Sequence, residues 1–156
     1  MSAERLALEV RHAWMTYQHA RYPRLAELLP ALVTEMHRAH AQDPEAGRVA
    51  VVEAYRVTAA LLVKLGEGNL AWLAADRAMS AAAGDRVLLA CAAVQLGQVL
   101  RASVRAGPVM LAAASQIAPG TPGELSLRGS LLVQAALIAA RAVDDRVVGE
   151  LLDEAA

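Results

Sequence analysis

The stretch "KLGEGNLAWLAADRA", which runs from Lys64 to Ala78, decides the fold because it joins two helical patterns through a glycine turn. Gly66 and Gly68 end the run "EAYRVTAALLVKL". Small residues then recur at a regular spacing, at Ala71, Ala75 and Ala78. Glycine commonly ends a helix, and small side chains at a contact let two helices approach closely. A phosphate-binding glycine loop would need a preceding strand, and here a helical pattern precedes it. The stretch therefore predicts the corner of a helical hairpin.

Composition supports an all-α protein. The chain has 156 residues, 56% of them hydrophobic, with no Phe and only 3% aromatic residues. Ala and Leu dominate, and both are strong helix formers. This length is that of one ordinary domain that can bury a core. We therefore expect one helical domain over residues 1–156.

Turn and capping signals divide the chain into about eight helices. The breaks fall at Tyr22-Pro23, Asp43-Pro44, Gly66–Asn69, Gly84-Asp85, Gly107-Pro108, Thr121–Glu124 and Val143–Asp145. Asp43, Asn69 and Asp85 are expected to cap the helices that follow them. Between the breaks, apolar residues recur at three- and four-residue spacing, and no segment alternates for long enough to suggest a strand. The predicted helices span about 3–21, 23–41, 45–65, 69–83, 86–106, 108–117, 122–142 and 145–155.

Short connections make consecutive helices antiparallel, and a repeated pattern indicates how the hairpins are arranged. The third and fourth predicted helices carry Tyr55, then Ala59, then the glycine turn. This order resembles the tetratricopeptide repeat, a hairpin of 34 residues. Ala93 lies 34 residues after Ala59, although the next glycine turn comes late, at Gly107. The repetition favours a right-handed, tetratricopeptide-like array of hairpins over a plain bundle.

A wider resemblance extends over nearly the whole chain. It rests on "EAYRVTAALLVKLGEGNLAWLAADRAM" and "AGD", with "LEVRHAWMTYQHARYPRLAELLPALV" before and "LSLRGSLLVQAALIAAR" after. The chain resembles the C-terminal tetratricopeptide-like regulatory domain of XRE-type helix-turn-helix transcription regulators of high-GC actinobacteria. That family usually carries a DNA-binding domain ahead of this one, and it is missing here. The chain is then either a fragment or a stand-alone relative. The resemblance implies sensing, dimerisation, or contact with a protein or small molecule.

Several other functions are disfavoured by the sequence. The net charge is −1, from 15 basic and 16 acidic residues, whereas a nucleic-acid-binding face is usually basic. Direct DNA binding is therefore not expected. The resemblance implies contact with DNA only indirectly, through a missing helix-turn-helix domain or a partner. No apolar run of about twenty residues could span a bilayer, and the N-terminus lacks a signal peptide's pattern. The single cysteine fits a reducing compartment. We expect a cytoplasmic protein with no membrane partner.

Candidate chemical groups have plainer interpretations. His37 and His40, and His12 and His19, are spaced so that each pair could share a metal ion, but surface histidines are the preferred interpretation. Cys91 is expected to be a small buried hydrophobic residue and not a nucleophile. Asp144 and Asp145 fit a helix start. No nucleophile-elbow or other catalytic signature is present. We predict no catalytic residue, metal or cofactor.

Repeat geometry places the first helix of each hairpin on a concave face, where a ligand groove would lie. Trp72 and Asp76 lie off the closing alanine face and either wedge against a neighbouring hairpin or line a pocket. A groove that mixes arginine, glutamine and aromatic residues suits an acidic or amphipathic ligand. The predicted ligand-binding residues are Trp14, Tyr17, Arg21, Glu53, Arg56, Trp72, Asp76, Gln98 and Arg101.

The leading functional hypothesis is a non-enzymatic regulatory domain that binds a small molecule or peptide in a helical groove, mediates dimerisation, or does both. A homodimer is expected, with "VVGELL" in the last helix and the outer face of the first hairpin as candidate surfaces. Two alternatives stay open. One is a helical enzyme that acts on a small molecule, which would need convergent acids or histidines. The other is a dimerisation module without a ligand.

Overall fold

The computed structural model describes residues 3–101, 106–118, 120–141 and 145–155, and within these ranges all regular secondary structure is α-helical. Eight helices follow one another there, and no strand is present in these ranges. The all-α, eight-helix prediction is confirmed. The helices are α1 Ala3–Gln18, α2 Tyr22–Gln42, α3 Pro44–Lys64, α4 Gly68–Ala81, α5 Arg86–Val99, α6 Ala106–Ser115, α7 Pro122–Arg141 and α8 Asp145–Ala155.

Three helix starts follow the capping chemistry of the sequence. Asp43 Oδ1 accepts hydrogen bonds from the backbone N–H groups of Glu45 and Ala46 at the start of α3, at 3.1 and 3.0 Å. Asp85 does the same at the start of α5. At the start of α7, the Glu124 carboxylate accepts from Thr121 N–H and the Thr121 hydroxyl accepts from Glu124 N–H. These side chains satisfy N–H groups that a helix terminus leaves unpaired.

Two helices end in the same hydrogen-bonded turn. After α3, Gly66 N–H donates to Val63 O and Glu67 N–H donates to Leu62 O, with Gly66 at φ 79°. This is the Schellman arrangement, in which a left-handed residue pairs the last carbonyl groups of the helix. The end of α1 repeats it with Ala20 at φ 55° in place of glycine. The predicted first helix, 3–21, therefore stops at Gln18.

Two sequence-based details are wrong. Asn69 does not cap α4, because that helix begins one residue earlier, at Gly68, and its N-cap is Glu67, whose side chain makes no capping hydrogen bond. The fifth helix was predicted to reach residue 106 but ends at Val99. After Val99 a hydrogen bond joins residues three positions apart, because Arg101 N–H donates to Gln98 O. The break at Gly107-Pro108 therefore does not mark the end of α5; Gly107 already lies inside α6.

The chain divides into two compact units, Met1–Ala82 and Ala83–Ala156, called here the N-terminal and C-terminal units. In the N-terminal unit, α1 contacts α2 and α3, α2 contacts α3, and α3 contacts α4. The C-terminal unit repeats this order with α5, α6, α7 and α8. Such sequential packing is the arrangement expected within an array of helical hairpins. The single-domain prediction and the right-handed stacking of all four hairpins stay predictions.

Small residues close the helix contacts inside each unit. Ala71, Ala75 and Ala78 of α4 are fully buried, as the opening stretch predicts for the face that meets α3. Ala59 and Ala93, which share a position in the proposed repeat, are also buried. Larger apolar side chains fill the rest of the N-terminal core, and they include Leu6, Leu25, Met36, Val52 and Val57.

Candidate ligand pocket between the first and third helices

A pocket of about 450 Å³ lies in the N-terminal unit, between α1 and α3 and beside the corner that joins α2 to α3. Most of its lining is apolar and small. Val49 is 54% exposed and Ala7 is also exposed, so the pocket opens to solvent along one side. The lining residues are Leu6, Ala7, Val10, Arg11 and Trp14 of α1, Ala39 and Gln42 of α2, Asp43, and Ala46, Gly47, Val49, Ala50 and Glu53 of α3.

The register of the helices gives the pocket its length. Trp14 meets Glu53 at one end, and α1 contributes residues back to Leu6 while α3 contributes residues back to Ala46. At a rise of about 1.5 Å per residue, these helix segments are about 10 to 12 Å long. The pocket is therefore an elongated slot between the two helices.

One end of the slot is built from three side chains, called here the Trp14–Glu53–Arg56 cluster. The Trp14 indole N–H donates to Glu53 Oε2 at 2.8 Å, and the Arg56 guanidinium pairs with Glu53 Oε1. The Arg56 guanidinium carbon also lies 5.4 Å from the centre of the Trp14 ring, a cation–π distance. The carboxylate of Glu53 therefore has its charge balanced inside the protein.

The cluster is well shielded from solvent. The Arg56 and Glu53 side chains are only 15% and 20% exposed, so their ion pair is screened less than a surface pair. Arg56 Nε is buried without a hydrogen-bond partner. Burying such a group costs about 1 to 3 kcal/mol. Because each member contacts the other two, the Trp14 ring is held in a defined orientation at the end of the slot.

Aromatic packing extends from the cluster along α1. The Tyr17 ring meets the Trp14 ring edge to face, with centroids 5.8 Å apart, and lies 5.7 Å from the Tyr22 ring. Tyr22 is the first residue of α2, so this row spans the turn between the first two helices. Such aromatic pairs add about 0.5 to 1.5 kcal/mol each beyond area burial. They support Trp14 from the side.

The other end of the slot is the corner between α2 and α3. Asp43 caps α3 there, and Gln42 ends α2. A Cβ atom placed on Gly47 would lie 2.6 Å from the backbone Cα of His40, closer than real Cβ contacts come. The two helices can therefore cross this closely only because position 47 lacks a side chain. Gly47, which has no side chain, lines the slot at this end.

The structure distributes the predicted site residues unevenly. It brings together Trp14, Glu53 and Arg56, with Tyr17 beside them. Arg21 lies in the turn after α1, on a separate shallow depression that also includes His12, Thr16 and His19. Trp72 and Asp76 are exposed on α4, and Trp72 is 48% exposed. Gln98, half-buried, and Arg101, exposed, belong to the C-terminal unit.

The sequence did not indicate the apolar lining of the slot or two of its charged residues. Arg11, Asp43 and the alanines of α3 were not predicted as site residues. A signal for them existed: Ala46, Ala50 and Glu53 are spaced by four and three residues, which places them on one helix face. Such spacing looks the same whether the face packs against a neighbour or lines a cavity, so only the packed helices reveal the slot.

The histidines and Cys91 do not line the slot. His37 Nε2 lies 2.7 Å from the Tyr55 hydroxyl, which ties α2 to α3. Among the residues that the structure describes, no group of three His, Cys, Asp or Glu side chains could hold a metal ion. Cys91 is half-buried and not fully buried as predicted. Asp144 lies outside the described residues.

Comparison with known proteins gives no match. No protein family, no curated protein and no solved structure is significantly similar to this chain. None of the described helices is both long and apolar enough to cross a lipid bilayer. A function is therefore inferred from the geometry of the slot.

Proposed function

We propose that the chain is a regulatory domain that senses a small molecule, and that the slot between α1 and α3 is its binding site. The observation that carries the proposal is the pocket of about 450 Å³ with the Trp14–Glu53–Arg56 cluster at one end. Small-molecule sites are typically concave, mostly apolar and about 300 to 1,000 Å³ in volume, with a few polar groups that orient the ligand.

The state of the pocket carboxylates favours binding over catalysis. Glu53 already accepts hydrogen bonds from Trp14 and Arg56, and Asp43 Oδ1 accepts from two backbone N–H groups. The described lining residues include no His, Cys, Ser, Thr, Tyr or Lys side chain that could act beside these carboxylates as a nucleophile or as a second proton-transfer group. The two carboxylates therefore suit the orientation of a ligand. We propose no enzymatic activity.

A regulatory role would follow if the ligand prefers one arrangement of the helices. The slot is walled by α1 and α3, and the corner at Gly47 joins α2 to the same site. A ligand shifts a conformational equilibrium only by its difference in affinity for the two states. From the resemblance to XRE-type regulators, we propose that the domain controls a helix-turn-helix domain or partner. The pocket volume favours a small molecule over a peptide as the ligand.

The test is a thermal-shift screen of a metabolite library against the wild-type chain and two variants in which an alanine is replaced by methionine. Ala50→Met fills the slot from α3, while Ala26→Met adds the same side chain at an exposed site on α2 that is not part of the lining. Ligands of the slot should raise the melting temperature of the wild type and of Ala26→Met but not of Ala50→Met. A screen without a binder, or binders that ignore Ala50→Met, would contradict the proposal.

Self-association is the second candidate function, and exposed apolar side chains on α4 favour it. Leu70, Trp72 and Leu73 are each 43% to 53% exposed on that helix. Apolar groups exposed together commonly mark an interaction site. In α8, Leu152 is 48% exposed while Leu151 is buried. Light scattering on the wild type and on Leu70→Ser/Leu73→Ser tests this: a dimeric wild type and a monomeric variant would support it, and a monomeric wild type would exclude it.

A further inference from the structure

We infer that the slot selects uncharged, elongated apolar molecules that carry one hydrogen-bond donor, such as a hydroxyl group, at the end near Glu53. This inference rests on the proposed function and names the chemical class of its ligand. It follows from the charges around the slot, from the acceptor at one end and from the length of the apolar walls.

The ionisable groups at the slot balance one another. Arg11, Asp43 and Glu53 line it, and Arg56 pairs with Glu53. These residues supply two positive and two negative charges. The helix ends at the corner also oppose each other, because the negative end of α2 and the positive end of α3 meet at Asp43. The slot therefore presents no net charge to a ligand.

A charged ligand would lose hydration without gaining a dedicated partner. Moving an ionised group out of water is costly unless an opposite charge and hydrogen bonds replace its solvation. Arg56 already pairs with Glu53 and does not itself line the slot, and Asp43 Oδ1 is already engaged by the start of α3. Arg11 lines the slot but is exposed, so solvent weakens any ion pair that a ligand makes there. The walls between these groups are alanine, valine and leucine side chains. An uncharged body gains from burial there without that cost.

The polar end of the ligand should be a donor. Glu53 is the least exposed ionised group in the lining, and a carboxylate has more acceptor positions than its two protein donors use. The indole N–H of Trp14, the other polar group of the lining at this end, is already directed at Glu53. A hydroxyl or N–H group on the ligand can therefore complete the hydrogen bonding of Glu53, while a ligand carbonyl would face a carboxylate.

The probes are octanol, octanoate and octylamine, which share one alkyl chain of about the length of the slot and differ in the charge of the end group. Binding is measured by tryptophan fluorescence titration in a Trp72→Phe background, so that Trp14 is the only indole. The wild-type slot should bind octanol at least about tenfold more tightly than either ion, because neither charge finds a free partner that is shielded from solvent.

Two charge variants make the test specific to this slot. Glu53→Gln keeps an acceptor but leaves the positive charges in excess, so octanoate should gain affinity relative to octanol. Arg11→Gln leaves the negative charges in excess, so octylamine should gain instead. Arg11 is exposed, so its shift should be the smaller of the two. Circular dichroism of each variant verifies that the helices are intact.

Opposite shifts in the two variants, with octanol preferred by the wild type, would support the inference. It is overturned if either ion binds the wild type as tightly as octanol, if the variants leave the affinities of the ions relative to octanol unchanged, or if no probe binds. The library screen with Ala50→Met stands apart from these outcomes: charged compounds that bind the slot would refute the ligand class and leave the sensing function in place.

Discussion

The N-terminal and C-terminal units use the same order of helix contacts, but their first and third helices meet in different ways. In the N-terminal unit, α1 and α3 are joined by the Trp14–Glu53–Arg56 cluster and enclose the slot. In the C-terminal unit, the Gln134 amide donates to Val94 O at 3.2 Å across α5 and α7. Gly97 lies beside the same glutamine and against Met110 of α6.

The difference shows how side-chain size changes one packing scheme. Small residues such as Ala93 and Gly97 let α5 sit close to its neighbours, and both are buried. In the N-terminal unit a tryptophan and an ion pair occupy the end of the equivalent seam, and alanines along α3 leave space beside them. The same order of helix contacts can thus leave an open slot at one place and allow a close approach at another.

The largest expected effect comes from Gly47→Ala. The new Cβ would meet backbone atoms of His40 at 2.6 and 2.9 Å, and backbone cannot move aside as a side chain can. The free energy of unfolding should fall by about 3 kcal/mol. Urea unfolding followed by tryptophan fluorescence measures it, since Trp14 and Trp72 both lie in the N-terminal unit. A loss below about 1 kcal/mol would show that α2 and α3 do not cross this closely at Gly47.

The next largest effect is expected from Glu53→Ala, which disrupts the Trp14–Glu53–Arg56 cluster. Glu53→Ala leaves the Arg56 guanidinium, only 15% exposed, without its carboxylate and the Trp14 N–H without its acceptor. Stability should fall by about 2 kcal/mol, because unpaired buried groups retain their desolvation penalty. The control is Glu154→Ala, which breaks the more exposed Arg128–Glu154 pair and should cost under about 1 kcal/mol. Equal losses in the two variants would contradict a special role for the cluster.

Gly97→Ala examines the corresponding close approach in the C-terminal unit. Its Cβ would lie 2.5 Å from Met110 Sδ, the far end of a flexible side chain, and 3.4 Å from Gln134 Oε1. Methionine can adopt another rotamer, so the expected loss is about 1 kcal/mol. Thermal unfolding followed by circular dichroism measures it against the wild type. A loss as large as that of Gly47→Ala would mean that Met110 has no room to move.

The smallest expected effect is an increase in stability, from Ala20→Gly. Ala20 adopts φ 55° in the turn after α1, where Gly66 and Gly84 adopt φ 79° and 89° after α3 and α4. Ala20→Gly removes the strain of a left-handed alanine but adds freedom to the unfolded chain, for a net stabilisation of about 0.5 kcal/mol. A lower melting temperature than the wild type would refute this account. Gly84→Ala is the matched reverse change and should destabilise.

Much of the architecture could be predicted from local chemistry. Asp43, Asp85 and Thr121 act as caps through hydrogen bonds to residues two or three positions away, and Gly66 ends a helix within one turn. Such signals depend on near neighbours in the chain, so they can be recognised in the amino-acid sequence without a structure. The error at Asn69 and the missed turn at Ala20 arose where a residue with a weaker preference took the special position.

The site was predicted only in part. The sequence predicts Trp14 of α1 and Glu53 and Arg56 of α3 as groove residues, and they do meet, but it does not indicate the alanine walls or Arg11. Trp72 is predicted on the same grounds, but it is exposed on α4 and does not line the slot. Residue type indicates what a side chain can do, whereas the rotation of each helix decides whether it faces a neighbour, a cavity or solvent.

By itself, the sequence determined that this chain is helical, where most of its helices begin and end, and which faces are small enough to pack closely. These properties depend on propensities, caps and spacing within a few residues. Only the tertiary structure decided that Trp14 reaches Glu53 across a separation of 39 residues and that space is left between α1 and α3. A cavity is the volume that packed side chains fail to fill, so it exists only once the helices have come together.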